Sequence, residues 1–252
     1  MTIRNLLLAL AVSGLMPLAA SSQDNEDAPA RITYVTYYVC DVATQGNMDS
    51  VVGAYDKPVF DQWVKDGKLV AWGYLSHFTG GRWRRAEYHV SPSMDEALDA
   101  QSKIFNEIYA DNREGGQARA EACEAHDDYM WSIDQSGGQT SARGETSLSV
   151  YFECEIADEE RADEIFAKAY APQFDKFVQD GKIASWSWQS HLLGGQYRRL
   201  QTITGETYAA VNAARVAALQ NVNRNNSDLG REFSRICDAH VDYLWDIVHD
   251  AP

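Results

Sequence analysis

Positive charge is scarce in this 252-residue sequence: 22 Lys and Arg stand against 37 Asp and Glu, a formal net charge of −15. A surface of that sign repels phosphate backbones and anionic bilayers, which argues against nucleic acid and acidic membrane surfaces as partners. Signatures of the commoner enzyme classes are also missing. There is no Gly-x-Ser-x-Gly elbow, no phosphate-binding Gly-rich loop, no His-Glu-x-x-His helix and no dinucleotide fingerprint. The N-terminal apolar run, residues 6–20, is interrupted by Gly14 and Pro17 and falls short of the ~20 residues that a membrane-spanning helix needs. With Arg4 before it and small residues after it, residues 1–22 read instead as a signal peptide, and residues 23–30 as a solvated linker. The mature chain is then expected to be periplasmic or secreted, with no membrane span.

The chain carries one pattern twice. Shifting the sequence by 114 residues superposes Cys40 on Cys154, His77 on His191, Arg84-Arg85 on Arg198-Arg199, Cys123 on Cys237, His126 on His240 and Trp131 on Trp245. Shared clusters include Pro-x-Phe-Asp, Asp-Gly-Lys, Ser-His-x-x-Gly-Gly-x-aromatic-Arg-Arg and Cys-x-Ala-His-x-Asp-Tyr-x-Trp. A tandem duplication follows, with copies at residues 31–135 and 147–249 and a linker at 136–146. In an exported chain the four cysteines invite pairing. The repeat selects Cys40 with Cys123 and Cys154 with Cys237, each pair 83 residues apart. Closing such a loop is worth up to ~4.5 kcal/mol in the chain-entropy model. That pairing leaves no thiol nucleophile.

Each copy parses into the same elements. Residues 31–40 and 147–154 are rich in β-formers and read as strands. Helical stretches at 49–66 and 159–180 stop at Gly67 and Gly181, with a kink or break expected at Pro58 and Pro172. Residues 68–78 and 82–90 form a hairpin around Gly80-Gly81, mirrored by 182–192 and 196–204 around Gly194-Gly195. Helices follow at 93–112 and 206–221. The last segment of each copy alternates polar and aromatic residues and reads as a fourth strand. A βαββαβ unit with sheet order 4-1-3-2 brings the end of its first strand beside the start of its fourth, where the cysteines lie.

This unit, with Asp-Gly-Lys-Ile-Ala-Ser-Trp-Ser at residues 180–187 and Asp-Tyr-Leu-Trp-Asp-Ile at 242–247, resembles the dimeric α+β barrel superfamily, and in particular its exported bacterial members. The resemblance implies an α+β fold in which two ferredoxin-like sheets pack face to face, here as one intramolecular barrel. It also implies cofactor-free monooxygenase, haem-enzyme, isomerase, dehalogenating or non-catalytic roles. The leading expectation is a small-molecule-binding barrel, compatible with a cofactor-free or metal-assisted enzyme acting on a small aromatic or anionic compound. A non-catalytic binding or stress-related module and a haem-binding enzyme are the alternatives. No cofactor is required by the sequence, and no metal is identified. Assembly as a monomer with a pseudo-dimeric barrel or as a homo-oligomer stays open.

Alternation places the cysteines, Tyr34, Tyr38, Tyr129, Trp131 and Ile133 on the helix-covered face. The barrel lining is then expected to hold Tyr37, His126 and Asp128, with Tyr151, His240 and Asp242 as their counterparts. An imidazole two residues from a carboxylate suits proton transfer, or simply a hydrogen-bonded sheet. A two-residue turn sets His77 opposite Arg84 and Ser76 opposite Arg85. The paired arginines Arg84, Arg85, Arg198 and Arg199, with His77 and His191, suit either an anionic ligand group or local acids. Trp72, Tyr74, Trp186 and Trp188 are read as core or pocket walls. Non-reducing peptide mapping checks the cysteine assignment: it should return the two 83-residue pairs, and a crossed link between the copies would break the deduced strand order.

Overall fold

The computed structural model describes residues 31–138 and 143–251; the stretch read as signal peptide and first linker lies outside them. Strands β1 (Arg31–Cys40), β2 (Ala71–Thr79), β3 (Arg85–Ser91) and β4 (Cys123–Gly138) come from the first half. Strands β5 (Thr146–Glu153), β6 (Ser185–Leu193), β7 (Arg199–Gly205) and β8 (Ala239–Ala251) come from the second. All pair antiparallel and close into one barrel in the order β1-β3-β2-β8-β5-β7-β6-β4. Helices α1 (Gln45–Val51), α2 (Lys57–Lys65), α3 (Met94–Tyr109) and α4 (Arg113–Ala122) pack outside the first half, and α5 (Glu159–Ile165), α6 (Ala171–Gln179), α7 (Tyr208–Asn225) and α8 (Ser227–Ile236) outside the second. None of the described helices is long and apolar enough to cross a membrane.

Local chemistry explains the boundaries. Gly67 and Gly181 end α2 and α6 with φ of +71° and +67°, a conformation that side-chain-bearing residues adopt at a cost. Pro58 and Pro172 sit in the first turn of those helices. The expected break takes the form of a wide π-helical turn just before them, Val52–Asp56 and Phe166–Tyr170. The final segment of each half is mixed: Phe233 and Ile236 are buried on α8, and the alternating strand pattern takes over from Ala239. Strand β4 runs on to Gly138 against Ser185 of β6, so pairing extends into the stretch read as the second linker.

Both disulfides, Cys40–Cys123 and Cys154–Cys237, are formed. They sit beside a feature that alternation alone does not reveal. Val39 faces Ala125 but Cys40 faces Cys123, leaving Glu124 as an extra residue. In the second half Glu153 faces Ala239 while Cys154 bonds Cys237, leaving Asp238 over in the same way. One extra residue inverts every side chain beyond it. The assignment of faces on β4 and β8 is therefore reversed. Tyr129, Trp131, Tyr243 and Trp245 point into the barrel, and Ile133 lines its interior. His126, Asp128, His240 and Asp242 lie on the helix-side surface, where Asp128 accepts a 2.7 Å hydrogen bond from Thr36. Tyr37 and Tyr151, on β1 and β5, do point inward.

The halves meet along two seams, β2 with β8 and β4 with β6. At each, a Gly-Gly hairpin from one half receives a tyrosine from the other. A Cβ on Gly81 would lie 2.3 Å from the Tyr243 hydroxyl, and one on Gly195 2.3 Å from that of Tyr129. The rings of Tyr243 and Trp245 stack at 4.9 Å, as do those of Tyr129 and Trp131 at 5.1 Å. His77 and His191 pack edge-on against those pairs. The two motifs shared most closely by the halves are thus each other's contact surfaces. Gly81→Ala and Gly195→Ala should each lower unfolding free energy by ~1–3 kcal/mol, the range for overpacking a filled site, as read by urea denaturation. An unchanged midpoint in both variants would show that the seams do not depend on this contact.

Candidate functional site

The two halves bury different things at corresponding places under their helices. In the first, Arg119 forms ion pairs with fully buried Asp56 and, at 2.8 Å, with Glu87. Its guanidinium lies 4.9 Å from the Tyr38 ring and 4.8 Å from the Phe105 ring, and Tyr38 and Tyr109 hydroxyls complete the cluster. Two carboxylates share one cation, all three groups being buried. Burial, and then the charge of Glu87, push the Asp56 carboxyl up to about 7, with Arg119 opposing.

At the positions 114 residues later stand Phe152 for Tyr38, Tyr170 for Asp56, Gln201 for Glu87, Phe233 for Arg119, Leu219 for Phe105 and Ala218 for Ile104. The charges are gone, and so is part of the volume. What remains is a pocket of about 200 Å³ between the sheet, the π-helical turn, α6, α7 and α8. Phe152, Phe166, Phe174 and Phe233 form its walls. Gln201, only 4% exposed, lines it, and its Nε2 has no hydrogen-bond partner among the described residues. Tyr170, Arg215, Ser234, Asp238 and His240 add further polar groups to its lining. The His240 ring stacks on Phe152 at 5.7 Å, its Nε2 is 3.8 Å from Asp242, and Asp242 in turn pairs with Arg215.

Of the residues singled out from sequence, His240 reaches this pocket directly, with Asp242 behind it. Its counterpart His126, 57% exposed and 3.4 Å from Asp128, lies over the half whose interior is filled by the Arg119 cluster. The inner arginines are saturated: Arg85 grips Asp49 with two nitrogens, and Arg199 grips Asp163 at 2.7 Å through each of two. Arg84 bonds Gln45, and Arg198 bonds Glu159 and His191. The hairpin register sets His77 opposite Arg84, with His77 N–H donating to the Arg84 carbonyl at 3.0 Å. Burial, and then Arg84 or Arg198, depress the pKa of His77 and His191. Trp72, Tyr74 and Trp188 are fully buried under helices, bonded to Asp61, Asp49 and Asp163. Trp186 bonds Asp175 and touches the barrel interior. Gln201, Arg215 and Phe233 were not singled out from sequence. The sequence signal for them is a difference between positions 114 residues apart in the two halves.

No group of three His, Cys, Asp or Glu among the described residues is placed to hold a metal ion. The helix-side pocket, at about 200 Å³, has the size for one or two rings, given that ~150 Å³ takes a benzene.

No family model and no curated protein matches the sequence. Solved structures match the fold. An anthrone oxidase-like protein aligns with a TM-score of 0.57 at 9% identity over 89% of this chain and 94% of its own. A candidate monooxygenase of Lactobacillus acidophilus gives 0.55 at 9%, over 87% and 93%. A mutant chlorite dismutase of Candidatus Nitrospira defluvii gives 0.53 at 9%, over 87% and 92%. At such identity the likeness establishes the α+β barrel fold.

The Asp56 cluster carries a pH dependence. Its carboxyl is held above the unfolded value of ~3.9, so its contribution is complete below that pH and is lost as pH rises through about 7. Buried His89, depressed to about 4 by desolvation, acts in the opposite sense over part of that range. The test is therefore a difference. Between pH 5 and 8 the wild type should lose stability relative to Asp56→Asn, and parallel pH profiles would refute the assignment.

Proposed function

We propose that this chain is an exported small-molecule-binding α+β barrel protein, built by tandem duplication of a ferredoxin-like βαββαβ unit. Its helix-side pocket in the second half takes a neutral, one- or two-ring aromatic carbonyl compound. The observation that carries this reading is the unpartnered Gln201 amide. A buried N–H donor without an acceptor costs ~1–3 kcal/mol, and a carbonyl oxygen entering among four phenylalanines would satisfy it. Aromatic walls reward a flat ring by area and by edge or stacked contact. Export is supported by the character of residues 1–22 and by two disulfides, which persist in oxidising compartments. One chain closes the barrel, so no second copy is needed for that step.

A catalytic reading has one observation in its favour, namely that His240 lines the pocket with Asp242 behind it. An imidazole so placed can take a proton from a bound phenol or enol and pass it toward Asp242. His240→Gln separates the two readings: binding persists in both, and turnover of a bound compound is lost only in the second.

Calorimetry with 1,4-naphthoquinone tests the binding reading. The wild type should bind, and Gln201→Leu should weaken binding about tenfold, the equivalent of ~1.4 kcal/mol. Ala218→Ile, which restores the residue of the first half, should fill the pocket and abolish binding while the thermal midpoint stays within a few degrees. Absence of binding by the wild type, or indifference to Ala218→Ile, would remove the proposal.

A further inference from the structure

The barrel has its own interior cavity, of about 180 Å³, separate from the helix-side pocket. One end of the barrel is packed solid by Trp83, Tyr129, Trp131, Tyr197, Tyr243 and Trp245. Beyond the inward phenols of Tyr37 and Tyr151 the interior opens. Burial holds both phenols above the ordinary tyrosine range, so they present neutral hydroxyls.

The cavity owes its existence to a difference between the halves. Tyr88 lies over Gly73, where a Cβ would come within 2.4 Å of the Tyr88 hydroxyl. At the matching positions stand Thr202 and Ser187, whose hydroxyls bond each other at 2.6 Å. A phenol ring is missing there, and open space takes its place.

The walls also differ in kind. Val35, Leu75 and Tyr88 on the first half face Ser149, Gln189 and Thr202 on the second. Gln189 is 6% exposed and donates Nε2 to Ser187 at 2.8 Å, which leaves its Oε1 without a partner. Thr33, 7% exposed, has an unpartnered hydroxyl on the same cavity. Arg143 lies 5.3 Å over the Tyr88 ring and donates Nε to Asp250 at 3.0 Å, and its buried Nη2 has no partner among the described residues. Arg31 also lines the cavity.

We propose that this interior cavity is a second binding site, for a small phenolic carboxylic acid. An aromatic ring fits between the apolar wall and the hydroxyl-lined wall. A phenol hydroxyl donates to Gln189 Oε1, an unpartnered amide acceptor on this cavity. A carboxylate meets the free Arg143 nitrogen, with Arg31 adding charge of the same sign. A neutral carbonyl compound lacks both the donor and the anion, so the two sites select different ligands.

Calorimetry with 4-hydroxybenzoate on the disulfide-bonded protein tests the site. Binding by the wild type should fall at least tenfold in Arg143→Leu and in Gln189→Leu, which restores the residue of the first half. Ser187→Gly combined with Thr202→Tyr rebuilds the first-half wall and should abolish binding by filling the space. Should that double variant fail to fold, the two leucine variants carry the test. Ala218→Ile, in the helix-side pocket, should leave 4-hydroxybenzoate affinity unchanged. Loss of binding in Ala218→Ile alone would assign the acid to the other pocket and overturn this site. So would undiminished binding in folded Arg143→Leu and Gln189→Leu, or no binding by the wild type. Naphthoquinone binding is read separately, so either site can fail without the other.

Discussion

An open sheet edge carries a row of unpaired N–H and C=O groups, and four such edges, on β2, β4, β6 and β8, satisfy one another here. Closure requires the hairpin of each half to approach the last strand of the other at backbone distance. Only glycine permits that at Gly81 and Gly195. The tyrosine and tryptophan pairs that fill the approach then seal one end of the barrel. The rest follows from that closure: an interior with one packed end, a cavity at the other, and helices outside.

The same constraint explains why identity between the halves marks structure. His77 and Gly80-Gly81 in one half answer Tyr243 and Trp245 in the other, and neither partner can change alone. The positions that differ are freer. Exchange of an Arg–Asp–Glu cluster for Phe233, Tyr170 and Gln201 opens a pocket under the helices. Exchange of Tyr88 and Gly73 for Thr202 and Ser187 opens the barrel interior. Each opening leaves a glutamine with one half of its amide unpaired.

Much of the fold was legible because it rests on patterns that survive in a single strand or turn. Alternation at residues 31–40, glycine stops at Gly67 and Gly181, the Gly-Gly turn that sets His77 against Arg84, and the cysteine spacing all lead to the observed elements and disulfides. The orientation of β4 and β8 was not legible. It depends on one surplus residue, Glu124 or Asp238, which changes no composition yet moves His126, Asp128, His240 and Asp242 from the interior to the outer surface. The pockets were not legible from either copy alone, since a cavity is a volume deficit among residues distant in sequence. Ala218 and Phe233 signal it only beside Ile104 and Arg119.

A barrel closed by two identical chains must have identical walls. When both halves lie in one chain, as proposed, a substitution in one wall has no obligatory mirror, and an apolar wall can face a hydroxyl-bearing one. Val35 opposite Ser149-type chemistry, and Leu75 against Gln189, are contrasts that a symmetric assembly could not display. The seams tolerate no such drift because each residue there answers to a fixed partner. The cavities tolerate it because no side chain of the other half fills them. Gln189 shows the consequence: its buried Oε1 has no partner among the described residues, and its counterpart Leu75 has no polar atom to pair, so the demand for a partner exists on one side of the pseudo-symmetry alone.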